Sequence, residues 1–127
     1  MDKRRNNIYP FPRKQPIPVL DQFNYHHVLA EQTGTTIVMF TKSGCQSCAL
    51  WTKLLTHYGN AHATTGIFRV DAERDPGLAQ ELDIFHLPAL FLYQNGEYHA
   101  ALQSEAKLEK LERAVEEALQ APPQEHP

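Results

Sequence analysis

The sequence predicts an α/β fold, a mixed central sheet with helices on both faces in the order βαβαβαββα. Three observations support this. Short apolar runs rich in β-branched and aromatic residues alternate along the chain with segments of helical spacing. Asn95-Gly96, between two apolar runs, is a two-residue hairpin signal, so the last two strands should pair antiparallel. The third is the stretch 35–51. There the strand Thr35-Thr36-Ile37-Val38-Met39-Phe40-Thr41 breaks at Ser43-Gly44 and gives way to a helix with Cys48, Trp51, Leu54, Leu55 and Tyr58 three or four apart.

The elements follow in order. Residues 17–20 make a short strand, and Asp21 caps a helix to about residue 32 that buries Phe23, Val28 and Leu29. Thr33-Gly34 ends it. After the strand and helix of 35–51, Tyr58-Gly59-Asn60 supplies the helix stop. Residues 67–70 form the next strand, and Asp75-Pro76 opens a short helix with Leu78 and Leu82 as its apolar positions. Ala89-Leu90-Phe91-Leu92-Tyr93 is a strand too apolar to have a wet face, and residues 97–101 return beside it. Ser104 caps a last helix with Leu108, Leu111, Val115 and Leu119 in one stripe, which Ala121-Pro122-Pro123 terminates. The chain thus divides into an extended Pro-rich basic arm over 1–17, one domain over 18–120, and a loose C-terminal tail over 121–127.

Charge is unevenly placed. The formal net charge of −3 divides into +4 on residues 1–18, with five cations and one Asp, and −7 on the rest. An acidic body gives no reason to expect nucleic acid as a partner. No apolar run approaches the roughly 18 residues of a membrane span, and the basic start at Lys3, Arg4 and Arg5 lacks the apolar segment of a signal peptide. A cytosolic location follows as the expectation. Pro10, Pro12, Pro16 and Pro18 keep the arm out of helix and central strand. Either Ile8, Tyr9 and Phe11 rest on the body, or Tyr9-Pro10-Phe11-Pro12 is offered to a partner as a polyproline segment.

The chain has two cysteines, both at the strand-to-helix junction. The free N–H groups and dipole of a helix start favour an anion, so Cys45 should be the more easily ionised thiol. Cys48, one turn on, can close a disulfide with it. The rivals are a pair of inert buried thiols and a metal site. Zinc wants three or four protein ligands; His86 could add a third, but the other six histidines are scattered, so no metal is expected. His86 is also a candidate base or positive charge beside the thiols. Trp51 suits either core packing or a surface lid.

These residues resemble the thioredoxin family. A CxxC at a strand-to-helix junction, Val70-Asp71 ending the next strand, Leu87-Pro88 before an apolar strand, and Asn95-Gly96-Glu97 carry the likeness, which spans about residues 18–119. The resemblance implies a thioredoxin fold and dithiol–disulfide exchange, with Cys45 as nucleophile and Cys48 as the resolving thiol. It further implies a cis Leu87–Pro88 peptide near the cysteines, and a substrate-binding surface of Gly44, Leu87 and Pro88. No organic cofactor is implied beyond a redox-active Cys45–Cys48 disulfide. The implied partners are protein disulfides and a reductase or other thiol electron donor. Departures are visible: Gly44-Cys45-Gln46-Ser47-Cys48 replaces Trp-Cys-Gly-Pro-Cys, and Met39 stands where thioredoxin has a buried Asp. Ile67 and Lys53 replace the family's accompanying lysine and helix-kinking proline. Phe40-Thr41-Lys42-Ser43-Gly44-Cys45 is also similar to the approach to the site in glutaredoxins, which makes Lys42 a second candidate modulator beside His86. A glutaredoxin, however, would carry Thr-Val-Pro where this chain has His86-Leu87-Pro88. The expected function is therefore a cytosolic thioredoxin-like oxidoreductase that reduces protein disulfides. The alternatives are a non-catalytic binding module or chaperone-like adaptor on the same fold and, after it, a glutathione-dependent reductase.

Overall fold

A computed structural model describes residues 17–127. The arm over 1–17, with its choice between packing and partner binding, lies outside the described residues except for Ile17. The elements are β1 (Val19–Leu20), α1 (Tyr25–Ala30), β2 (Thr35–Thr41), α2 (Gln46–Ala61), β3 (Gly66–Asp71), α3 (Pro76–Glu81), β4 (Ala89–Gln94), β5 (Glu97–Leu102) and α4 (Leu108–Gln120). The strands form one sheet in the order β1-β3-β2-β4-β5, parallel through β1, β3 and β2 and antiparallel from β2 to β4 and β4 to β5.

Two cores flank this sheet because β2 is buried on both faces. Ile37 and Met39 point into a cluster with Trp51, Leu54, Leu55, Leu111 and Val115 from α2 and α4. Val38 and Phe40 point the other way, to Tyr25, Leu29, Leu78 and Leu82 of the α1–α3 side. The hairpin after β4 requires its glycine. Gly96 has φ +82°, and a Cβ there would meet the Ala30 carbonyl oxygen at 2.5 Å. Asn95, at φ 52°, accepts the Gly34 N–H on its side chain at 2.8 Å and so ties the hairpin to the start of β2.

Four local expectations are corrected. Asp21 shapes the turn ahead of the helix rather than capping it, its Oδ1 accepting N–H groups of Phe23 and Asn24 at 2.8 and 3.0 Å; Asn24 holds the cap position, and Phe23 is left 82% exposed. Tyr25 takes the buried place instead. The cysteine helix runs through Gly59 to Ala61, because Gly59 lies on its buried face and packing there outweighs a propensity penalty of about 1 kcal/mol. Ser104 does not cap α4; its Oγ donates to the Glu105 carbonyl, and Lys107 occupies the cap position. The tail expected to be loose is fastened to β5, the Gln124 N–H donating to the His99 carbonyl at 2.7 Å.

The α1 face also buries a polar pair. The hydroxyls of Tyr25 and Tyr93 share a hydrogen bond of 2.7 Å, with Phe40 and Tyr98 packed around them. Burial, reinforced by the neighbouring Tyr93, pushes the Tyr25 phenol far above its ordinary range, and burial likewise raises Tyr93. Both phenols therefore hold their protons more tightly folded than unfolded. Their contribution to stability is complete below the unfolded pKa of about 10 and is lost as pH rises above it. Denaturation measured from pH 8 to 11 should show this alkaline loss, and it should be shallower in the Tyr25→Phe/Tyr93→Phe double variant. Tyr25→Phe alone should cost about 1–3 kcal/mol by orphaning the Tyr93 hydroxyl, with the double variant costing less than the two singles summed.

Candidate functional site

The site grows from the C-terminal end of β2. That strand is paired with β3 on one side, Thr41 opposite Asp71, and with β4 on the other, Phe40 opposite Ala89. The loop leaving β2, the turn leaving β3 and the loop entering β4 are therefore delivered to one end of the sheet. Gly44 turns the first of these at φ +74°, with nothing within 4 Å of where a Cβ would stand, so backbone conformation rather than space selects glycine.

Cys45 then adopts an extended conformation as the N-cap of α2, and its Sγ accepts the Cys48 N–H at 3.1 Å. One of the unpaired donors of the helix start is thus aimed at the first sulfur, an arrangement that favours a thiolate there. Cys48, 4% exposed, lies on the buried face of the helix, whereas Cys45 is half-buried. The two are joined in a disulfide across a Cα–Cα distance of 5.2 Å.

The neighbouring loops are pinned. Ser43 Oγ donates to Glu73 Oε1 at 3.0 Å, and the Ala72 N–H donates to the Thr41 carbonyl at 2.8 Å. Asp71 Oδ1 in turn accepts the Glu73 and Arg74 N–H groups and shapes the turn. On the β4 side the Leu87–Pro88 peptide is cis. Lys42 and His86 are exposed and Leu87 is half-buried. Pro88, His86 and Phe85 line a groove of about 360 Å³ that continues over Leu82, Phe91 and Tyr98.

The sequence reading missed two residues here. Phe85 is 85% exposed beside Pro88, and the available signal was an aromatic side chain in a stretch assigned to no element. Glu73 was missed because its partnership with Ser43 spans 30 positions and no local pattern encodes it. Trp51, left open between core and lid, is core.

The thioredoxin family model matches residues 16–117. The chain belongs to the thioredoxin family. No curated protein matches it by sequence. Among solved structures it is similar to thioredoxin f2 of Chlamydomonas reinhardtii, with TM-score 0.71 and 23% identity over 85% of this chain and 99% of that one. It is also similar to oxidised mitochondrial thioredoxin 3 of Saccharomyces cerevisiae, with TM-score 0.69 and 19% identity over 80% and 94% of the two chains. A third likeness is to zinc-bound human ERp44, with TM-score 0.66 and 18% identity, covering 80% of this chain and 31% of that one. At these identities the likenesses establish the fold, and the CxxC pair at disulfide distance supports a thiol–disulfide oxidoreductase role. Among the described residues, no three His, Cys, Asp or Glu side chains are grouped to hold a metal, and no helix is long and apolar enough to cross a membrane.

One departure from the family is now physical. Met39 is fully buried in the apolar cluster with Trp51, Leu55 and Leu90. Among the described residues the one buried carboxylate is Asp75, at the head of α3, and Arg74 Nε holds it at 3.1 Å. Met39→Asp should therefore place an unpaired carboxyl in the core and cost roughly 1–3 kcal/mol or more in chemical denaturation. In single-turnover experiments from about pH 6 to 9 it should also speed the release of a mixed disulfide near neutrality, by offering a proton acceptor to Cys48.

Proposed function

We propose that this protein reduces disulfides of other proteins by dithiol–disulfide exchange, with the cytosol as its compartment. The observation that carries this reading is the asymmetry of the pair. Cys45 is the accessible sulfur at the helix start, and Cys48 is buried one turn behind it. In the reduced protein the Cys45 thiolate attacks one sulfur of a substrate disulfide. The substrate S–S bond breaks, one substrate sulfur leaves as a thiolate, and the other is held on Cys45 as a mixed disulfide. Cys48 loses its proton and attacks Cys45 Sγ, which forms the Cys45–Cys48 bond and expels the second substrate thiolate. Two electrons pass from the dithiol to the substrate, and a reductase or other thiol donor must return them.

The cis loop suits the substrate half of this reaction. The Leu87 backbone and Pro88, at the same end of the sheet as the cysteine loop, offer an extended segment a surface against which to align. Gly44 keeps the approach to Cys45 free of side-chain bulk. Lys42 and His86 supply polar groups around it, and Phe85 an apolar one for residues flanking the target cystine. The reaction draws on no organic cofactor or metal.

Trapping tests the division of labour. Cys48→Ser should accumulate mixed disulfides through Cys45, read on non-reducing gels and by mass spectrometry of the linked peptides, whereas Cys45→Ser should trap almost nothing. Equal trapping by the two variants would overturn the assignment of roles. No trapping by either, together with a Cys45 pKa near that of a free thiol, would favour a binding module on the same fold.

A further inference from the structure

We propose that residues 122–127 form a strap that imitates a β-strand on the outer edge of β5 and so keeps that edge from pairing with a second copy of this chain. The geometry begins at the end of α4. His99 of β5, itself buried, places Nε2 2.7 Å from the Ala118 carbonyl and 3.2 Å from that of Ala121, which fixes the last turn of the helix against the strand. Pro122 and Pro123 then keep the chain extended.

Gln124 makes the decisive contacts. Its backbone N–H donates to the His99 carbonyl at 2.7 Å, and its side-chain Oε1 accepts the Ala101 N–H at 3.0 Å. In a parallel ladder, a residue opposite Ala100 would donate to the carbonyl of 99 and accept from the N–H of 101 through its own backbone. Gln124 does both, with the amide side chain standing in for the carbonyl. Beyond it, the His126 ring lies 4.9 Å from that of Tyr98, and Pro127 reaches the groove lined by Ala101 and Leu102. The segment thus crosses β5 from the α4 face to the opposite face.

The edge needs such cover. β1, the opposite edge, has two residues and offers little to pair with. β5 has six, Glu97-Tyr98-His99-Ala100-Ala101-Leu102, with neither lysine nor proline to discourage a neighbour. A register shift at Leu92/Tyr93 disturbs the half of the ladder nearest the hairpin. The regular half begins at Ala100, and Gln124 brackets that start, bonding His99 on one side of it and Ala101 on the other. Without the strap, the free groups of His99 and Ala101 could meet their own copies about a two-fold axis and continue the sheet across two molecules.

The test uses the full chain. Gln124→Pro removes both the N–H and the amide acceptor, whereas Gln124→Glu keeps both bonds possible. In Gln124→Pro the Ala101 amide should exchange with deuterium roughly fivefold or more faster, as loss of one net hydrogen bond implies. Sedimentation should also show association that grows with concentration, while reduction of a small disulfide is unchanged. Gln124→Glu should stay monomeric with Ala101 protected. Unchanged Ala101 exchange in Gln124→Pro would overturn the proposal, as would fast exchange with a monomer at every concentration, or Gln124→Glu associating like Gln124→Pro.

Discussion

β2 is hydrogen-bonded along both edges, to β3 in parallel and to β4 antiparallel, and its two faces feed two separate cores. Both registers terminate together, at Thr41 with Asp71 and at Phe40 with Ala89. A slip of one residue in either ladder would exchange Met39 for Phe40 between the cores and move one of the site's loops away from the cysteines. The site is therefore held by packing on both sides of the sheet. The bonds made at the site itself, such as Ser43 to Glu73, refine a position already set by that packing.

From that strand the energetics divide by depth. The buried layer is nearly all apolar, and the exceptions are paired: Tyr25 with Tyr93, Asp75 with Arg74, and His99 with the final carbonyls of α4. Thr36 Oγ1 is the exception, buried without a partner among the described residues. The Tyr25–Tyr93 and His99 pairings each join a strand to a helix, and Arg74 reaches on from Asp75 to the Leu20 carbonyl of β1, so polarity in the core works here as a clamp between elements. His62 extends the pattern to the surface, stacked on Tyr58 at 4.1 Å and bonded to Glu112 of α4 at 2.7 Å, where it closes the end of α2. That half-exposed hydrogen bond contributes little beyond positioning.

What the sequence made legible was whatever is encoded by period or by a special backbone requirement. The strands of β2 and β4, the stripe of α4 from Leu108 to Val115 (Leu119, expected to continue it, is exposed), the Asn95-Gly96 turn and the two cysteines at a helix start all fall in that class. So do Gly44 and Gly96, whose positive φ values only glycine meets easily. Boundaries were less legible, because they rest on competition between near-equal local options. Gly59 resembles a stop until the packing of its face is known, and Ser104 resembles a cap until its hydroxyl turns to Glu105. The tail was illegible for a different reason. It is held by Gln124 and His126 against groups some 25 residues away, and two proline neighbours read as an end to structure when they in fact set an extended path.

The same distinction bears on the chemistry of the cysteines. The hydrogen bond to Cys45 Sγ comes from the backbone of α2, and Cys48 is buried on the inner face of that helix. Cys45 thus stands at a helix terminus whose orientation depends on Gly44 and on the register of β2, while Cys48 is buried one turn behind it. One face of the pair is prepared for a thiolate and the other is not. In the exchange proposed above, attack by Cys45 draws on the helix start as it stands, whereas resolution waits for a proton to leave Cys48. On that reading the preparation of Cys45 for exchange comes from the folding of β2 and α2 rather than from the surface side chains around it.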